Sequence, residues 1–136
     1  MKGFKSNIEQ DTLKNKNFRK VIYTGKNSQL VLMSLPPKQD IGMEVHPEND
    51  QFLRFEGGTG RCEIDGNTHA VKDGDAVVIP AGAMHNVTNT SATTELKIYT
   101  IYSPPHHRDG IIHTTKAIAE KDDEEFDGET TEKMKK

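Results

Sequence analysis

From Phe18 onward the chain is built of short runs rich in apolar, β-branched and aromatic residues, each closed by a cluster of turn formers. That texture predicts many short strands rather than helices. The first run, Arg19 to Thr24, ends at the turn from Gly25 to Ser28, and the next, Gln29 to Leu35, is stopped by Pro36-Pro37. Ile41 to His46 precedes a turn from Pro47 to Asp50, and Gln51 to Glu56 is closed by Gly57-Gly58. Arg61 to Ile64 and Asn67 to Val71 flank Asp65-Gly66, a strong two-residue hairpin signal. Val77 to Ile79 runs into Pro80, and Asn86 to Thr90 and Leu96 to Tyr102 complete the set before Pro104-Pro105. No useful helical stripe appears before residue 114. The expected fold is therefore all-β, a jelly roll or up-and-down barrel of about ten strands.

The two ends read differently. Residues 1–17 are polar and lack strong periodicity, which suggests a loose arm with one short strand near its start. Residues 18–115 carry the barrel pattern. Residues 116–136 are charged and nearly free of apolar side chains, the composition of a disordered tail, with a helical turn expected over Lys116 to Lys121.

Hydrophobic residues make up 32% of the 136, and this low figure reflects the polar ends more than the middle. One domain is expected at this length. A net charge of −3 argues against nucleic acid as the main partner, since phosphate binding needs a basic face. No apolar run reaches the roughly 20 residues of a membrane helix, and the N-terminus has no apolar signal region. Cys62 is the sole cysteine, so no intrachain disulfide forms. Together these point to a cytoplasmic protein.

The most informative stretch runs from Gly74 to Asn89. Gly74, Pro80, Gly82, His85 and Asn89 stand in the order Gly, five residues, Pro, one, Gly, two, His, three, Asn. Gly74 permits a tight turn at positive φ, Pro80 ends a strand without needing a ladder N–H, and Gly82 makes the corner from which His85 opens the next strand. This stretch resembles the second motif of the cupin superfamily. The first cupin motif, His-x-His, then Glu, then Gly, survives in spacing only. Glu44 and His46 occupy the paired positions, Gln51 the Glu position, and Gly58 the Gly. The resemblance covers roughly residues 28–103 and is closest to small single-domain microbial cupins of the mannose-6-phosphate-isomerase-like group.

The resemblance implies a cupin jelly-roll barrel holding one divalent metal ion through Glu44, His46, Gln51 and His85. Strand alternation agrees, because Glu44 and His46 share one face, and so do Gln51, Leu53 and Phe55. Two imidazoles, a carboxylate and an amide oxygen suit Zn, Fe, Mn, Ni or Cu. Glu44 stands where the family has a histidine, and doubles as a candidate general base. Gln51 is a poorer donor than the family's glutamate. Leu53, Phe55, Met84, Tyr99, Tyr102, His106 and His107 are candidates for the pocket. The bland reading of His106 and His107, just after Pro104-Pro105, is exposure; folding back over the barrel mouth is the other. His69 and His113 are expected at the surface, Arg54 outside the barrel, Glu48 in solvent, and Met33, Met43 and Met84 in packing roles.

Two functions stay open at this point. One is a metal-dependent enzyme acting on a small molecule, isomerase- or epimerase-like, or dioxygenase-like. The other is a non-catalytic module that binds a metal or small ligand as a sensor. The pocket strands show no clear cluster of Lys and Arg, which counts against a sugar phosphate. An exposed barrel edge and the polar arm suggest a homodimer, a common cupin arrangement.

Overall fold

A computed structural model describes residues 1–133. Among these, ten strands form two antiparallel sheets. The larger has the order β10-β1-β2-β9-β4-β7, where β1 is Arg19–Thr24, β2 Gln29–Leu35, β4 Asp50–Gly57, β7 Ala76–Ile79, β9 Leu96–Ser103 and β10 Ile112–His113. The smaller has the order β3-β8-β5-β6, where β3 is Glu44–Val45, β5 Thr59–Ile64, β6 Asn67–Lys72 and β8 Met84–Asn89. The fold is the all-β jelly roll expected, with the inner faces of two sheets enclosing one core.

Period-two alternation builds that core. On β4, Gln51, Leu53 and Phe55 point inward, and on β9 Leu96, Ile98, Thr100 and Tyr102 do so. Register aligns these positions into rungs across β2, β9 and β4: Met33–Ile98–Phe55, Val31–Thr100–Leu53, and Gln29–Tyr102–Gln51. Polarity therefore rises toward one end of the barrel. The facing sheet contributes Cys62, Val87 and Asn89, and His85 at the polar end. Gly74 and Gly82 take positive φ of +93° and +88°, as their turns require, and β7 stops at Ile79 ahead of Pro80.

Several expectations are corrected. In place of a loose arm with a strand, the N-terminal segment forms the helix α1, Ile8–Lys14. The Asn7 side chain caps it by accepting from the Gln10 N–H at 3.0 Å, and it rests on β4 and β9. The strand expected from Ile41 to His46 shrinks to β3, because Gly42 bends the backbone at φ +110° and donates its N–H to Asn86. The tail is not featureless. After helix α2, Lys116–Lys121, it crosses the polar end of the barrel, and Thr131 donates its N–H to the Thr24 carbonyl at 2.9 Å. Residues 134–136 of the expected tail lie outside the described residues. His113 is buried, bonded to Asp122 at 2.9 Å and Arg19 at 3.3 Å, because β10 pairs with β1 and turns it inward. Met33 is core, but Met43 and Met84 lie on the outward face and are 54% and 51% exposed. No helix among the described residues is long and apolar enough to cross a membrane.

Candidate metal centre

Glu44 and His46 reach the site from β3 and the residue after it, and His85 from β8. Glu44 pairs directly with His85 in the antiparallel register. The Glu44 carboxylate stands 3.4 Å from His46 Nε2 and 3.8 Å from His85 Nε2, and one donor atom from each of the three lies within 4.8 Å of the others. Donors about 2.1 Å from a shared ion sit roughly 3.0–3.5 Å apart, a range the Glu44–His46 pair meets and the Glu44–His85 pair approaches.

The donor chemistry fits as well. His85 Nδ1 lies 3.0 Å from the Ala83 carbonyl, and donating there leaves the Nε2 lone pair facing the cluster. His46 Nε2, His85 Nε2 and Gln51 Oε1 are all buried without a hydrogen-bond partner. Gln51 arrives from the opposite sheet, its amide NH₂ donating to Thr100 Oγ1 at 3.1 Å, which turns the carbonyl oxygen to the unpaired side. Two guanidinium atoms, Arg19 Nε and Arg54 Nε, are also unpaired, but their groups have His113 and Glu56 close by. Burial pushes the Glu44 carboxyl up. The neighbouring His46, then His85 and Arg19, outweigh it, and the net shift is downward.

The remaining candidates separate cleanly. Leu53 and Phe55 are fully buried beneath the cluster and form its apolar floor. Tyr102 points inward, its ring 5.7 Å from that of His46. Tyr99 lies on the outer face, 6.3 Å from Phe52, and Met84 also faces out, so neither lines the site. Their parity in β9 and β8 is opposite to that of Tyr102 and His85. Glu48 and His69 are exposed, as expected, and the half-buried Arg54 lies on the outer face.

His106 and His107 fold back over the mouth, against the reading of exposure. Gln29 holds their backbone: its carbonyl accepts both N–H groups, at 3.2 and 2.9 Å, and its amide donates to the His107 carbonyl at 2.7 Å. Asn49 donates to the Pro104 carbonyl at 2.6 Å. The His106 ring comes to 4.2 Å from that of His46. Burial first, then the neighbouring His107 and His46, pull the His106 imidazole down to about 4, so it is neutral near pH 7. Burial also lowers His107. His107 Nδ1 meets Glu124 Oε1 at 2.5 Å, and Nε2 faces the Tyr102 hydroxyl at 3.4 Å. Glu124 also accepts from the Arg108 N–H at 2.7 Å, and its side chain is 3% exposed. Glu124, Gln29 and Asn49 were not singled out in the sequence. Gln29 had a signal, an amide at inward parity in an otherwise apolar strand; Glu124 had none, standing within an acidic run.

Residues 31–102 match the family model described as the cupin domain. The chain is 46% identical over 124 residues to the uncharacterized protein YrkC of Bacillus subtilis (strain 168), covering 87% of this chain and 66% of that one. It is 49% identical over 109 residues to the uncharacterized protein L612 of Acanthamoeba polyphaga mimivirus, covering 78% and 68%. It thus spans about two thirds of the length of each curated relative. Among solved structures, BH2720 from Bacillus halodurans aligns with a TM-score of 0.87 at 43% identity, covering 89% of this chain and 96% of that one.

Proposed function

The chain belongs to the cupin domain family, and from that premise we propose that it is a metal-dependent enzyme acting on a small molecule, with Glu44, His46 and His85 as ligands and Gln51 as a fourth, weaker donor. One observation carries the reading. Three buried polar atoms, on His46, His85 and Gln51, make no hydrogen bond, and the Glu44 carboxylate lies beside two of them. Leaving such groups buried and unpaired costs about 1–3 kcal/mol each, so a partner is called for. Two imidazoles and a carboxylate on adjoining positions leave other coordination positions open, as a catalytic site needs.

A divalent ion bound there supplies Lewis acidity to a substrate oxygen. The rest falls to the chain. The Ala83 carbonyl fixes the His85 tautomer. Leu53 and Phe55 exclude water from below. Glu44 either ligates or, released, accepts a proton from the substrate. Isomerase-like and dioxygenase-like chemistry both use such a site.

The test is metal analysis of protein prepared without a His-tag, beside the double variant His46→Ala/His85→Ala. About one ion per chain is expected in the parent and none in the variant. Equal metal content in both would overturn the ligand set. Oxygen uptake by the Fe(II) form, against isomerisation by the Mn or Zn form, then separates the two chemistries.

A further inference from the structure

Against His106 lies a solvent-open cavity of about 410 Å3 whose walls come from three separate stretches of chain. Pro47, Glu48 and Asn49 form one side, Pro104, Pro105 and His106 the second, and Glu125 and Phe126 of the tail the third. His106 links this space to the cluster, for it lines the cavity and its ring stands 4.2 Å from that of His46. The volume is that of a small-molecule site.

Hydrogen bonds between the walls, and from Glu124 just behind the third, hold them together. Asn49 ties the first wall to the second through the Pro104 and Pro105 carbonyls, at 2.6 and 3.3 Å. The Phe126 N–H donates to the His106 carbonyl at 3.0 Å, which ties the third wall to the second. Glu124 anchors the tail one residue before Glu125, on His107 and Arg108. The tail is thus a structural wall of the cavity.

Its lining also defines a ligand chemistry. Three proline rings, a phenyl ring and an imidazole offer flat faces that suit a flat, weakly polar body. The charged side chains in the lining are Glu48 and Glu125; it contains no lysine or arginine. We propose that this cavity is the substrate vestibule of the metal site, and that it takes a small molecule with a flat apolar body and no negative charge. Sugar phosphates and small carboxylates are selected against by the two acidic rims. The inference rests on the metal reading only in calling the ligand a substrate; the cavity itself is made by protein walls.

The experiment therefore uses metal-free protein, dialysed against EDTA. Benzamide, benzamidine and benzoate share one flat body and differ in charge, and their binding is followed by amide shifts in 15N-labelled protein. Benzamide and benzamidine should shift the Asn49, His106 and Phe126 amides with a dissociation constant about tenfold below that of benzoate, the scale of two nearby like charges. Glu125→Lys changes an exposed charge without touching the fold, and should move the preference toward benzoate. Phe126→Ala should weaken benzamide several-fold. Benzoate binding as tightly as benzamide in the parent, shifts mapping elsewhere, or an unmoved preference in Glu125→Lys would each overturn the proposal. None of these outcomes depends on metal content, so a failed vestibule and a failed metal site are told apart.

Discussion

Replacing Glu124 with alanine removes two hydrogen bonds to one ionised carboxylate, from His107 at 2.5 Å and from the Arg108 N–H at 2.7 Å, and strands a buried imidazole N–H. Bonds to a charged group contribute about 1.5–3 kcal/mol each, and a partly wetted tail takes the lower end, about 3 kcal/mol in all. The carboxyl's own acidity gives a second route. Burial pushes Glu124 up, but the His107 hydrogen bond, the Arg108 N–H and the charges of His107 and Arg19 bring it down from 4.5 to about 2. That displacement is worth about 3 kcal/mol. Both figures rest on the same two hydrogen bonds and set one scale for the loss.

The sign follows from linkage. A carboxyl held low contributes its stability in full above its unfolded value near 4.5, and loses it as pH falls to about 2. The depressed His106 and His107 act in the same direction, because burial opposes their protonation as pH drops below 6.5. Native-state hydrogen exchange at the Arg108 and Phe126 amides reads this locally. At neutral pH, Glu124→Ala should speed exchange there about a hundredfold while core amides such as Phe55 stay protected. The gap between parent and variant should close as pH falls from about 4.5 toward 2. A change under threefold at neutral pH, or a gap that widens in acid, would refute the docking of the tail through Glu124.

Other substitutions probe the site and the scaffold. Gln51→Glu should tighten divalent-ion binding about tenfold by titration calorimetry, since a carboxylate replaces an amide oxygen. The same change should lower the melting temperature of the EDTA-treated form, because Gln51 is 2% exposed and its one hydrogen-bond partner is Thr100; an unchanged ion affinity would remove Gln51 from the ligand set. Gly58→Ala should cost about 3 kcal/mol or more in urea unfolding. A Cβ there would meet the Glu95 carbonyl oxygen at 2.4 Å, on a backbone held at φ +87°; a cost below about 1 kcal/mol would show that the β4–β5 turn relaxes freely.

What the sequence revealed and what it hid divide along a physical line. Strand parity is local, so the shared face of Gln51, Leu53 and Phe55 was legible, and all three are buried. The motif from Gly74 to Asn89 was legible because its glycines and proline are fixed by backbone geometry at short range. The helix α1 was not. It has seven residues and buries only Thr12, so it carries no apolar stripe. Nor was the exposure of Met43 and Met84, both expected in packing roles, since apolar character alone does not put a side chain inside. The docking of Glu124 on His107 joins positions 17 residues apart through tertiary geometry, and an acidic run gives no hint which carboxylate is used.

Buried polar residues of the barrel divide by how fully they are paired, and this separates scaffold from site. Gln29, Asn49 and Asn89 are buried amides like Gln51. Gln29 uses both ends of its amide, four bonds in all, to clamp residues 106–107 and Thr24. Asn89 donates to three carbonyls, of Leu35, Pro36 and Thr94, and accepts from the Ser91 N–H. Such residues offset their own desolvation and fix loops. Gln51 uses only its NH₂ end, and its free oxygen is matched by a free nitrogen on each of His46 and His85. Among the described residues, the buried acceptor atoms left without a hydrogen bond are these three, and all stand at one end of the barrel. Three lone pairs so placed suit an electrophile, and His106, which lines the cavity walled by the tail, stands 4.2 Å from the His46 ring.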